Sequence, residues 1–243
     1  MDAIKKLIME KFKLDINSEE NSGINILGYF NLNTTQRELN KIINAVNINE
    51  PIKTFQNYEV IKRPISWIVY LTKNPINNEE ILPNIKVYSF DIQNRNILNK
   101  GHLIAEKFQK YLITTPEKVK FFFKNNIRNI ILQFSNINSS TDGYKGQSYF
   151  EAKIRNAVEN DKNIYYEIKP KFFDEEDKIP AGCELIAFEK DSRIKDFNSN
   201  DNGEVPFHIF IPNVGNEEFW KNFEGKPNLR YSILNFYKTG IVE

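Results

Sequence analysis

The sequence predicts an α+β domain built around a central antiparallel sheet. Three features point there. Residues 65–71 and 164–173 are apolar or alternating runs of strand length. Residues 36–46 and Gln147–Glu159 space their apolar side chains at helical intervals. The helices are few and inserted among antiparallel-looking strands, as in α+β domains. A chain of 243 residues and 28.6 kDa makes one large domain, or one domain with an appended piece.

In order, residues 3–14 form a helix through Ile4, Leu7, Ile8 and Phe12, and residues 24–30 follow as a strand. Thr35 and Glu38 have the spacing of a capping box, and Leu39, Ile42, Ile43 and Val46 make the apolar stripe of a second helix. Residues 47–51 read as a linker, so 1–50 are expected to be a small, mixed helical N-terminal extension and 51–243 the main domain. Strands are expected at 65–71 and 85–90, with a polar turn at 93–96 before Ile97-Leu98 and Lys100-Gly101-His102. A helix at 116–124 starts with proline in its first turn. The strand 130–132, a Ser/Thr/Asn/Gly loop at 136–146 and the helix Gln147–Glu159 come next. Strands at 164–173, 183–188 and 207–211 complete the pattern.

Composition removes several function classes. Forty per cent hydrophobic residues, with 19 Phe and 11 Tyr, supply a real core and exclude wholesale disorder. No run approaches the ~18 consecutive apolar residues of a membrane span. A single cysteine, Cys183, excludes a disulfide framework and a cysteine-cluster zinc site. A net charge of +1 argues against a strongly basic wrapper of nucleic acid and leaves room for a local patch. Lys118, Lys120, Lys124 and Arg128 could form such a patch, or a solvated helix face. After Lys5-Lys6 only three apolar residues precede Glu10, so no signal-peptide core is expected; the cytoplasm or a non-classical export route follows.

Few residues can do acid–base chemistry. His208 lies in a strand whose Phe207, Ile209 and Ile211 face the other way, and it reads as structural. His102 follows Lys100 and Gly101, and glycine lets a backbone approach something closely. Glu151 and Arg155, four apart, share one helix face and by themselves read as an exposed ion pair. Asn129 and Asn138 have ordinary turn and loop readings. The order of these residues along one strand–loop–helix unit is what raises them together.

That order resembles the DNA/RNA non-specific endonuclease family of the ββα-metal (His-Me finger) fold, in particular its EndA- and streptodornase-type secreted nucleases. The likeness rests on Asn99-Lys100-Gly101-His102-Leu103-Ile104-Ala105, on Asn129-Ile130-Ile131-Leu132-Gln133, and on Asn138 followed by Gly146-Gln147-Ser148-Tyr149-Phe150-Glu151. Similar segments recur at Ile164-Tyr165-Tyr166-Glu167-Ile168, Ile179-Pro180-Ala181 and Tyr237-Lys238-Thr239-Gly240. It spans about residues 55–243. Lys100 stands where the family carries arginine; lysine keeps the charge and loses the planar fork for phosphate oxygens.

The resemblance implies His102 as general base, Asn129 as direct ligand of Mg²⁺ (or Mn²⁺), and Glu151 with Asn138 ordering the metal's waters. Arg155 and Lys100 would stabilise negative charge. The implied substrate is DNA, with RNA as a further candidate, and the implied products carry 5′-phosphate and 3′-hydroxyl ends. Two alternatives stand beside this expectation. One is an inactive nucleic-acid-binding module on the same scaffold. The other is a nuclease toxin whose first fifty residues serve export and which meets an immunity or inhibitor protein.

Overall fold

The computed structural model describes residues 2–15, 28–54, 63–76, 98–115, 119–140, 144–198 and 204–242. In chain order these form α1 (Asp2–Phe12), β1 (Phe30–Asn31), α2 (Gln36–Ala45), β2 (Ile52–Thr54), β3 (Trp67–Leu71), β4 (Leu98–His102), β5 (Ile130–Phe134), α3 (Ser135–Ser139), α4 (Gln147–Glu159), β6 (Ile164–Lys171), β7 (Gly182–Glu189), α5 (Ile194–Asn198), β8 (Phe207–Pro212), α6 (Glu217–Lys221) and α7 (Leu229–Thr239). Short 3₁₀ turns lie at Glu106–Tyr111 and Lys120–Phe122.

A six-stranded sheet in the order β1-β8-β7-β6-β3-β2 is antiparallel throughout. A separate two-stranded ribbon pairs β4 with β5. Alternation along each strand splits the packing into two faces. On one, Trp67, Val69, Tyr166, Ile168, Leu185 and Ile209 bury against the main core, which holds Phe150 and Ile154 of α4 and Ile131 of β5. On the other, Ile68, Tyr165, Ile186 and Phe188 pack under Leu39 and Ile42 of α2 and Phe197 of α5. The ribbon and α4 are thus seated on a rigid floor.

The capping box of α2 forms: Glu38 N donates to Thr35 Oγ1 at 3.3 Å and Thr35 N to Glu38 Oε2 at 2.8 Å. Such a cap is worth about 1 kcal/mol.

Described segments on both sides of residue 50 share the same cores. Ile4, Leu7 and Ile8 of α1 lie in the main core, β1 closes one edge of the sheet, and α2 covers its outer face. Helical spacing reveals an apolar face and not what that face will meet. Within the expected helix at 116–124, the described residues Lys120–Phe122 form a 3₁₀ turn that buries both Phe121 and Phe122. Part of the loop expected at 136–146 is the short helix α3. The strand expected at 85–90 and the turn at 93–96 lie outside the described residues, as do residues 24–27 and 116–118. Among the described residues, no helix is long and apolar enough to cross a membrane.

Candidate active site

The ribbon and the helix that follows it build the site. β4 pairs His102 with Ile130 and Gly101 with Ile131. Lys100 and His102, two apart, share one strand face. Gly101 between them admits no side chain: a Cβ there would stand 1.9 Å from Gln133 Oε1 and 2.9 Å from Asn138 Oδ1. Gly101→Ala is therefore expected to cost ~1–3 kcal/mol by overpacking. It should also displace Asn138. Thermal melts check the first effect and activity the second.

A cleft of about 360 Å³ gathers Lys100, His102, Asn138, Glu151 and Arg155 with Lys107. Five of the six residues singled out in the sequence are thus brought together, and Asn129 is not among them. Asn129 is fully buried; its Oδ1 accepts from Ile104 N at 2.7 Å and its Nδ2 donates to Ile104 O at 2.9 Å. Its own carbonyl accepts from Leu103 N at 2.8 Å. Its carboxamide oxygen, expected to face a metal, is turned to a backbone N–H inside the core. Asn129 instead pins the chain just past His102.

The His102 ring is oriented from behind. Its Nε2 lies 2.9 Å from the carbonyl oxygen of Phe122, which can only accept, so Nε2 carries the hydrogen and Nδ1 the lone pair. That carbonyl belongs to the turn bearing Lys120, which with Lys124 is exposed. Of the other cations in the anticipated basic strip, Arg128 is half-buried and Lys118 lies outside the described residues.

Burial pushes the Glu151 carboxyl up from 4.5 to about 7, against the Gln147 hydrogen bond and the charges of Arg155 and Lys107, which pull it down. Between those values the folded chain keeps a proton that the unfolded chain releases. The stability this gives is complete below pH 4.5 and is lost as pH rises through about 7. Glu151→Gln is expected to raise the Tm above wild type at pH 8 in EDTA, with the difference vanishing near pH 4.5; melts at the two pH values check it.

Arg155 adds an unmatched donor beside the cleft. Its Nε is buried and has no hydrogen-bond partner among the described residues. An unmatched buried donor costs about 1–3 kcal/mol unless an acceptor arrives. A phosphate oxygen is such an acceptor.

Among the described residues, one group of three acidic and histidine side chains lies close enough to share an ion: Glu38, Glu184 and His208. It sits under α2, away from the cleft. Burial pushes the Glu184 carboxyl up, but the His208 hydrogen bond and the charges of Lys169 and Lys171 outweigh it and hold the group well below the usual carboxylate range. Lys169 at 2.8 Å and Lys171 at 2.9 Å already neutralise Glu184, and Glu38 closes the α2 cap. The cluster is an ion-pair network on the sheet beneath α2, consistent with a structural His208.

Sequence reasoning missed the partners that orient the site, Gln147, Lys107 and the Phe122 carbonyl. Gln147 had a signal, standing one helical turn before Glu151. A backbone carbonyl twenty residues from His102 has none.

A six-stranded antiparallel sheet carrying a strand pair and helix on one face has counterparts among solved nuclease structures. It is shared with NucA from Streptococcus agalactiae. The metal-free NucA structure is 21% identical, covers 85% of this chain and 88% of its own, and superposes with a TM-score of 0.56. The structure with magnesium ion bound is 23% identical over the same shares, with a TM-score of 0.54. The Sda1 nuclease with bound zinc ion is more distant, at 15% identity over 68% of this chain and 76% of that one and a TM-score of 0.39. No family model matches the chain.

Proposed function

We propose that the cleft hydrolyses phosphodiester bonds in DNA, and in RNA where the strand fits, as a metal-dependent endonuclease. The observation that carries this reading is the His102 ring, held through Nε2 by Phe122 and lining the same cleft as Asn138, Glu151 and Arg155. His102 takes a proton from the attacking water, and a positioned base of this kind contributes ~10²–10⁴-fold. Arg155 meets the charge that grows on the phosphate, with Lys100 as a point charge beside it. Contacts of this kind address phosphates more than base edges, so little sequence preference is expected.

The donors present fit a hard divalent cation. Asn138, whose neutral Oδ1 lies near Gly101, lines the cleft together with the Glu151 carboxyl of α4. Magnesium prefers oxygen ligands and keeps several waters, so one direct protein ligand suffices. Asn138 would hold the ion and Glu151 would orient its waters. Once bound, the ion polarises the phosphate and assists the departing 3′ oxygen. The magnesium-bound NucA structure supports this choice of metal.

The test is degradation of plasmid DNA and of total RNA by purified protein with Mg²⁺, Mn²⁺ or EDTA. Degradation that EDTA stops, leaving 5′-phosphate ends, supports the reading. Intact polymers with every metal exclude it and leave the inactive binding module.

A further inference from the structure

The nuclease reading gives no task to one deeply buried polar side chain beside the cleft, Gln147. Gln147 is 2% exposed and opens α4 one turn before Glu151. Its Nε2 donates to Glu151 Oε1 at 2.7 Å and to the His102 carbonyl oxygen at 2.5 Å. Its Oε1 accepts from Gln133 Nε2 on β5 at 2.8 Å. A carboxylate and a carbonyl only accept, so the amide has one orientation, with nitrogen toward His102 and Glu151. Gln133 is itself 1% exposed and fixes the other end.

One side chain thus ties the strand that carries the base to the helix that carries the acid. Glu151 lies only half-buried at the cleft, and its carboxylate would otherwise choose among rotamers. We propose that Gln147 is a positioning residue: it anchors Glu151 Oε1 against the end of β4 and so turns Oε2 to the cleft. The inference rests on the nuclease reading and adds a residue that acts through Glu151 without touching substrate.

The experiment is a double-mutant cycle on the full chain, with plasmid cleavage in Mg²⁺ as the readout. Gln147→Met keeps length and removes the amide; Gln147→Glu keeps the shape and sets one carboxylate against another. Each is measured alone and in a Glu151→Ala background, with melts alongside. The expected result is a ~10–100-fold fall in kcat at unchanged KM and a higher Mg²⁺ requirement for either single variant, as for other groups that orient metal-site ligands. In the Glu151→Ala background the same substitutions should cost less than about twofold, the non-additivity expected of coupled residues. If Gln147→Met does not fold, Gln147→Glu decides alone. Full, additive losses in that background would overturn the inference, because Gln147 would then act independently of Glu151. An active wild type with unaffected Gln147 variants overturns this inference alone; an inactive wild type overturns it together with the nuclease reading.

Discussion

His102→Ala is expected to lower kcat for plasmid hydrolysis by ~10²–10⁴-fold, the contribution of a positioned general base. The fold should survive. The ring is half-buried, and its hydrogen bond to Phe122 O has a net worth of about 1 kcal/mol. For a domain of this size that shifts the Tm by roughly 2–4 °C. Two further readouts separate base catalysis from collapse of the site. Added imidazole should restore part of the rate in His102→Ala, because the missing group is a base of that chemistry. The wild-type rate should fall on the acid side, where a proton on Nδ1 removes the lone pair that attacks. A variant whose rate imidazole leaves unchanged and whose Tm drops sharply would place His102 among the structural residues.

Asn129→Ala and Asn138→Ala should fail in opposite ways. Asn129 satisfies both the N–H and the C=O of buried Ile104. Alanine leaves both unpaired, at a cost of ~2–4 kcal/mol, with a matching fall in Tm of roughly 5–15 °C. Its activity loss should track unfolding and respond little to added Mg²⁺. Asn138 is half-buried and its side chain makes no hydrogen bond among the described residues, so its loss should barely move the Tm. The Mg²⁺ needed for half-maximal rate should instead rise by at least about 10–100-fold, the effect expected even of groups behind the direct ligands. Melts and magnesium titrations of the two proteins side by side check this. If Asn129→Ala keeps its Tm and loses its magnesium response, the assignment of the ion to Asn138 is wrong.

The contrast between these two asparagines shows where sequence reading stops. Strand and helix periodicity placed α4 to the residue and β3, β6, β7 and β8 within a few positions, because α4 carries one apolar stripe and the strands are apolar runs of strand length bounded by polar turns. The Thr35–Glu38 cap was readable because both partners lie within one turn. His102, Glu151 and Arg155 could be picked out because their order along the chain survives in the motif. Which way a carboxamide points is not encoded locally. Asn129 turns inward because Ile104, twenty-five residues earlier, needs two partners, and that pairing exists only once β4 and β5 are joined. The same holds for α1, whose helical spacing was plain but whose place in the main core depends on contacts such as Phe12 with Phe173 and Phe210, at ring separations of 5.6 and 6.2 Å.

The most direct measurement is relaxation and linearisation of supercoiled plasmid by the purified wild-type chain at pH 8 in Mg²⁺, with His102→Ala and EDTA lanes in the same series. The predicted result is conversion by the wild type, abolished by EDTA and slowed ~100-fold or more in a folded His102→Ala protein. Plasmid left intact by a folded wild type, or cut as fast by His102→Ala, would contradict the assignment of this cleft to phosphodiester hydrolysis.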